Sequence, residues 1–214
     1  MICFTEMKPA TSRFTCHALA GILAAISLLT PACIKAASAE DTKDMTLSLD
    51  QIFSVATGDW NKDNAQDAVV MIETSNQEFD VLIYLTDENH RLKLHDYVKS
   101  MVWGATTMYG QEPFVSTREN GSLMITSQNS AIGRDRWEEN LTIVYRQNRF
   151  IVAGFSYSSY DTLDPDGGGS CDLNLLTGKG IVNEEAIKFD AKAPSILAYA
   201  DQSEGLRKLC GVPE

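Results

Sequence analysis

The sequence predicts an all-β fold: an antiparallel meander of hairpins that forms packed sheets, a barrel or propeller-like blades, with little helix. Three observations predict this class. Apolar or alternating runs of strand length, rich in Val, Ile, Tyr and Phe, recur along the chain. Turn-forming residues separate these runs, and patterns of helical period are sparse.

The predicted strands are 68–72, 79–85, 92–103, 114–117, 123–126, 141–145 and 150–155. Before them, residues 47–56 fit either a short helix or a strand. In the sixth run, Leu141, Ile143 and Tyr145 share one face of the strand, which is typical of an antiparallel sheet with one buried face. After the last run, residues 193–210 mix a helical turn or two with loop.

Two dipeptides predict tight hairpins between neighbouring strands. Asn120-Gly121 links two of the runs as a type I′ turn would, and Gln147-Asn148 links two more. Both turns need residues that adopt positive φ, which Gly and Asn do readily.

The first 39 residues have the form of a signal peptide. Lys8 and Arg13 precede an apolar stretch at 18–29, and residues 37–39 form a small-x-small cleavage site before Glu40. The apolar stretch is shorter than the roughly 20 residues that a membrane span requires. We therefore expect a periplasmic or secreted protein whose mature chain, 40–214, folds as a single all-β domain.

Two alternatives remain open at this end of the chain. Translation starts at Met1 or at Met7, which Lys8 follows directly. Lipidation of Cys33 would anchor the protein to a membrane, but the three residues before it match a lipidation signal poorly. We expect the soluble form, with membrane attachment only if Cys33 carries lipid.

The mature chain is strongly acidic. The whole chain has 18 basic and 29 acidic residues. The leader holds three of the basic residues and one of the acidic residues, which leaves 15 basic residues, 28 acidic residues and a net charge of −13. Such a field disfavours nucleic acid as a partner and favours cations and basic proteins.

Two cysteines remain after cleavage, Cys171 and Cys210. An exported chain with two cysteines is expected to form one disulfide. The pair has neither the Cys-x-x-Cys spacing nor an adjacent histidine that a metal or redox site would need.

The segment 58–67 carries oxygen ligands at every second position and runs directly into an apolar strand. With Asp59 as first ligand, Asn61 takes the third position, Asp63 the fifth, the Ala65 carbonyl the seventh and Asp67 the ninth. Calcium takes six to eight oxygen ligands, and a tightly turned loop supplies most of them. The spacing predicts a structural calcium ion. The alternative is an Asx-rich turn that binds no ion.

The same segment resembles the FG-GAP or VCBS-type repeat loop, whose pattern is Gly-Asp-aromatic-Asn-x-Asp-Gly-x-x-Asp before an apolar strand. The matching residues are Gly58, Asp59, Trp60, Asn61, Asp63 and Asp67. Asn64 stands where the family has Gly. The change is tolerable because Asn, like Gly, adopts the left-handed backbone conformation. The resemblance implies a calcium loop. It covers about ten residues in a single copy, whereas family members carry tandem arrays that build propeller blades.

Other candidate sites are weaker. Residues 160–172 concentrate four carboxylates in a glycine-rich loop, which fits a second cation or simply a solvated turn. Residues 174–180 lack two of the residues that a phosphate-binding loop requires, so we expect no nucleotide. The two mature histidines, His90 and His95, are interpreted as surface residues.

No catalytic constellation is evident in the sequence. Glu138 and Glu139 lie beside Trp137, but adjacent residues on a strand point to opposite faces and do not serve one cleft. We therefore expect a non-catalytic exported domain that binds a protein or an envelope glycan. The alternative is an envelope polysaccharide hydrolase that uses paired carboxylates from different strands.

Overall fold

The computed structural model describes residues 48–74, 77–164, 166–190 and 192–212. These residues fall within one compact unit, Thr46–Glu214. The predicted leader, its cleavage site and Cys33 lie outside the described residues. No helix in the described part of the chain has the length and hydropathy needed to cross a membrane.

The described chain is mostly β, and its strands form two antiparallel sheets. The smaller sheet contains four strands in sequence order: β1 (Ile52–Gly58), β2 (Asp67–Glu73), β3 (Glu78–Thr86) and β4 (Leu92–Trp103). A 3₁₀ turn at Leu49–Gln51 precedes β1. The sequence left helix or strand open for the segment 47–56, and its described residues, 48–56, form a short turn followed by a strand.

The larger sheet contains seven strands, again a meander in sequence order. They are β5 (Phe114–Thr117), β6 (Leu123–Asn129), β7 (Asp135–Arg146), β8 (Arg149–Asp161), β9 (Gly168–Asn174), β10 (Lys179–Val182) and β11 (Glu185–Lys188). The predicted all-β class and antiparallel order are confirmed. The arrangement is two sheets and not a closed barrel.

The core lies between the two sheets, on one face of each. Alternate residues of β2 and β3 face it from the smaller sheet, and alternate residues of β6, β7 and β8 face it from the larger one. Its fully buried members include Val69, Met71, Phe79, Val81, Ile83, Leu123, Ile125, Ile143, Phe150, Phe155 and Leu173. Burying a side chain of this size stabilises the fold by about 1.5–3 kcal/mol.

The two sheets also meet edge to edge at β1 and β5. The Val115 amide donates to the Ser54 hydroxyl at 3.1 Å, and the Thr117 hydroxyl donates to the Thr57 carbonyl at 2.8 Å. These side-chain contacts stand in place of a regular ladder, and the two sheets remain separate.

One of the two predicted hairpin turns has the expected form. Gln147 and Asn148 both have positive φ, 51° and 61°, between the paired residues Arg146 and Arg149. At the other, only Gly121 has positive φ, and its amide donates to the Arg118 carbonyl. The connection from β5 to β6 is therefore a longer turn that ends in a left-handed glycine, and the type I′ prediction there was wrong.

The C-terminal segment closes one side of the core. A 3₁₀ turn at Ile196–Ala198 leads into helix α1 (Ala200–Leu209), and Ile196, Tyr199 and Leu206 are buried. The disulfide predicted between Cys171 and Cys210 is present and fixes the end of α1 to β9.

Candidate functional site

The predicted calcium loop is the connection between β1 and β2. Gly58 and Asp67 form the last pair of this hairpin, and the intervening residues leave the sheet. Trp60 folds back over Gly58, where a Cβ would lie 2.9 Å from the indole ring. Trp60 is buried and meets Phe150 of the core edge-on. The Gly-x-Trp sequence therefore anchors the loop to the core.

Three of the predicted ligands gather around consecutive backbone amides inside this loop. The Asp63 amide donates to Asp59 Oδ1 at 3.0 Å and to Asn61 Oδ1 at 3.1 Å, and the Asn64 amide donates to Asp59 Oδ2 at 3.0 Å. Asp63 in turn accepts the Ala65 amide at 2.8 Å. Asn64 has a φ of 68°, the left-handed conformation expected where the family pattern has Gly.

Asp67 has a different role from the other predicted ligands. It is completely buried, and its two oxygens accept the amides of Trp60 and Thr86, each at 3.0 Å. Asp67 thus links the start of the loop to the end of β3. Such hydrogen bonds to a charged acceptor contribute about 1.5–3 kcal/mol each.

The donor set of the loop fits calcium in its chemistry. Asp59, Asn61 and Asp63 offer hard oxygens, and a carboxylate oxygen that accepts one amide keeps a second lone pair. In the described part of the chain, no three His, Cys, Asp or Glu side chains come together as a metal-binding group. Asp67 is engaged with the Trp60 and Thr86 amides and does not join Asp59 and Asp63, and the calcium assignment stays a prediction.

The acidic loop 160–172 does not gather its carboxylates. Asp161 forms an ion pair with Arg134, and Asp164 holds a turn by accepting the Asp166 amide at 3.2 Å. Asp172 lies on β9, exposed on the outer face of the sheet. These acids serve separate local roles.

A shallow depression of about 340 Å³ lies on the outer face of the larger sheet, the face turned away from the core. Its polar lining comes from alternate residues of three adjacent strands: Glu138 and Asn140 on β7, Ser156 and Ser158 on β8, and Ser170 and Asp172 on β9. The exposed side chain of Ile181, opposite Asp172 on β10, adds an apolar wall. Cross-strand pairing places Glu138 opposite Ser158, and Ser158 opposite Ser170. Since the serines are the smallest of these side chains, they form the floor.

Part of this lining is already held in place. The Asn140 amide group donates to Glu138 Oε1 at 2.7 Å, and the Thr126 hydroxyl donates to Asn140 Oδ1 at 2.6 Å. Ser158, Ser170 and Asp172 are exposed. The depression therefore offers carboxylate, amide and hydroxyl groups on a rigid sheet.

Arg136 and Tyr160 lie on the same face, at one end of the depression. They pair across β7 and β8, two residues beyond Glu138 and Ser158. The Tyr160 side chain is 58% exposed, and Arg136 Nη1 is buried with no hydrogen-bond partner among the described residues. One end of the depression thus presents an exposed aromatic ring beside a half-buried guanidinium.

Glu138 and Glu139 point to opposite faces of the sheet, as expected for adjacent residues of a strand. Glu138 faces outward, whereas Glu139 is buried on the core side and accepts Nε and Nη2 of Arg207 at 2.8 and 3.0 Å. Arg207 comes from α1, 68 residues away in the chain. No local sequence signal marks this pair, so sequence reasoning missed it.

His95 differs from the surface position assigned to it. A register shift between Ile83 and Tyr84 forms a bulge in β4, so His95 and Asp96 both lean toward the core. The His95 ring packs edge-on against Tyr145 and Phe150, and its Nδ1 lies 3.1 Å from Asp96 Oδ2. Burial raises the pKa of Asp96.

The tryptophans beside the acids do not form an exposed platform. Trp137 stacks on Tyr157 with ring centres 6.4 Å apart and contacts Trp103 at 5.4 Å. Tyr157 belongs to the buried core. Tyr160 is therefore the exposed aromatic residue nearest the outer-face depression.

Comparison of the chain with protein-family models, with curated proteins and with solved structures finds no match.

Proposed function

We propose that this protein is a non-catalytic exported domain that binds an envelope glycan on the outer face of its larger sheet. The observation that carries the proposal is the outer-face depression on β7 to β10, which combines carboxylate, amide and hydroxyl groups with an apolar wall. A calcium ion in the loop 58–67 has a structural role, remote in sequence from these strands.

The chemistry of the depression suits a sugar. A sugar hydroxyl both donates and accepts hydrogen bonds, so its site needs both kinds of group. Glu138 and Asp172 supply acceptors, and Asn140 and the serines supply both donors and acceptors. Tyr160, which is 58% exposed, offers a ring face against which a sugar can pack.

A binding role fits the carboxylates better than hydrolysis does. Glu139 is neutralised by Arg207 and is turned away from the depression. Glu138 and Asp172 share the depression, which is the observation that favours the alternative hydrolase. They lie on strands separated by β8 and two residues out of register, however, so their backbones are roughly 12 Å apart by ladder and residue spacing. Their surroundings are open to solvent, and hydrolases place such pairs about 5–9.5 Å apart.

The calcium part of the proposal rests on ligand spacing, on the resemblance to the FG-GAP or VCBS-type loop and on the clustering of oxygens around residues 63–65. Asp59, Asn61 and Asp63 would hold the ion, and Asp67 would keep the base of the loop in place. Export is supported by the leader pattern and agrees with the disulfide, which persists in oxidising compartments.

Binding to a panel of peptidoglycan fragments, lipopolysaccharide-derived oligosaccharides and a neutral β-glucan tests the proposal. We expect the purified protein to bind at least one of these glycans. Ser158→Trp, which fills the floor of the depression, should abolish binding. The matched control Thr177→Trp, in the exposed turn between β9 and β10, should retain it. If no member of the panel binds, or if Ser158→Trp binds as well as the unmodified protein, the proposal is wrong.

The same panel separates binding from hydrolysis. We expect no release of reducing ends from any bound glycan. Turnover that Glu138→Gln or Asp172→Asn abolishes, with binding kept, would establish the hydrolase instead.

A further inference from the structure

We infer that three loops at one end of the larger sheet form a docking surface for a partner protein that presents basic and apolar side chains. The loops are 104–113, which leads into β5, 130–134 between β6 and β7, and the described residues 162–164 and 166–167 between β8 and β9. This surface, called the loop end below, is separate from the sugar-binding depression, and the inference does not rest on the proposed function.

The three loops are joined to one another by backbone hydrogen bonds. The Ser130 amide donates to the Gly110 carbonyl at 2.7 Å, and the Thr162 amide donates to the Arg134 carbonyl at 3.0 Å. At Gly110, φ is 84° and a Cβ would lie 2.4 Å from Cβ of Ala131, so only glycine permits this approach. The loop end is therefore one continuous surface.

Each loop exposes large apolar side chains on this surface. Tyr109 is 83% exposed, Leu163 76%, Met108 47% and Ile132 40%. Single exposed apolar residues are ordinary, but several on adjacent loops make a patch of the kind found at interaction sites. Met and Tyr are enriched in protein interfaces.

Hydrogen bonds fix the backbone that presents these side chains. The Asn129 side chain accepts the Ile132 amide at 3.0 Å and donates to the Ile132 carbonyl at 2.8 Å. The Leu163 amide donates to Asp161 Oδ1 at 2.9 Å. Since hydrogen bonds already hold the backbone at Ile132 and Leu163, these positions lose less conformational entropy when a partner binds.

The charges around the apolar residues select the partner. The three loops carry Glu112, Asp164 and Asp166 against Arg134, and Asp135 and Asp161 lie at the adjoining strand ends. Asp161 neutralises Arg134 directly. An acidic rim attracts a basic surface and disfavours an acidic one. Leu, Ile and Met side chains offer a sugar no hydrogen bonds, so the patch favours a protein over a glycan.

Selection of a displayed library of random peptides against the purified protein tests the inference. We expect the enriched peptides to combine Lys or Arg with large apolar residues. Their affinity should fall about tenfold or more in Leu163→Asp, as at an interface anchor. It should also fall in the double variant Asp164→Lys, Asp166→Lys and with rising salt. The control Leu92→Asp alters another exposed leucine, 51% exposed, at the start of β4 and should bind the peptides normally.

Four results would overturn the inference: no enrichment, enriched peptides without basic residues, binding that survives Leu163→Asp, or loss of glycan binding in that variant. A dimer in sedimentation that Leu163→Asp dissociates would assign the surface to a second copy of the chain and would also contradict it. Ser158→Trp should leave peptide binding unchanged, which separates this inference from the proposed sugar site.

Discussion

Helix α1 is held to the sheets by few contacts, and the disulfide is the strongest of them. Of its ten residues only Leu206 is buried, and Cys210 follows its last turn. A helix of this length is marginal in water without tertiary contacts. Loss of the disulfide should therefore release α1 while both sheets persist.

The chain-entropy relation gives the size of the global effect. The bridge closes a loop across a sequence separation of 39 residues, for which the relation predicts about 4 kcal/mol at 25 °C. We expect the double variant Cys171→Ser, Cys210→Ser to lose about this amount of free energy of unfolding in urea denaturation. Amide hydrogen exchange should show lost protection at residues 200–209 and retained protection in β7 and β8.

The ion pair between Arg207 and Glu139 also holds α1 to the larger sheet. With the disulfide intact, Arg207→Gln should destabilise the protein by about 1–3 kcal/mol, because Glu139 stays buried without its partner. Lys208→Gln, the neighbouring change on the same helix, should have little effect. Unaltered exchange of α1 in the cysteine double variant, with a loss of stability below about 1 kcal/mol, would refute this account of how the helix is held.

Three further predictions concern the calcium loop and β4. Calcium should raise the melting temperature of chelator-treated protein. Asp63→Ala should abolish this response, and the control Asp166→Ala should keep it. A melting curve that calcium leaves unchanged would contradict the calcium assignment. Asp67→Ala should cost about 3 kcal/mol with or without calcium, because two backbone amides lose a charged acceptor, and equal stability in urea would contradict that role. Burial, together with the hydrogen bond to Asp80, raises the pKa of Tyr97 to about 12 from 10.0. The neutral phenol is thus favoured in the folded state, so its contribution to stability is complete below pH 10 and is lost as the pH rises toward 12. Absorbance titration of Asp80→Asn should show a lower pKa for Tyr97 that remains above 10, and an unchanged value would exclude the hydrogen bond as a cause.

The sequence predicts the strands with clear apolar alternation but not the last three. β10 and β11 have four residues each and few apolar ones, and the turn between them places Asn183 and Glu184 at positive φ. Glu is not a turn-forming residue, so no pattern marked this hairpin. β9 begins with two glycines, which favour a loop prediction.

The site residues divide in the same way. Ligand spacing in 58–67 is local and can be interpreted directly. The disulfide could be predicted because only Cys171 and Cys210 remain in the predicted mature chain. By contrast, the outer-face depression depends on which strands pair, because Glu138, Ser158 and Asp172 come from three separate runs. His95 faces the core through a bulge that alternation does not reveal. These features follow from tertiary pairing, which local periodicity does not determine.

Chemical-shift mapping of the labelled protein during titration with the tightest-binding glycan of the panel tests the central claim most directly. The account predicts that the shift changes concentrate on the outer face of β7, β8 and β9, around Asn140, Ser158 and Asp172, and that Ser158→Trp removes them. Changes that instead concentrate at the loop end, or the absence of any glycan that binds, would contradict it.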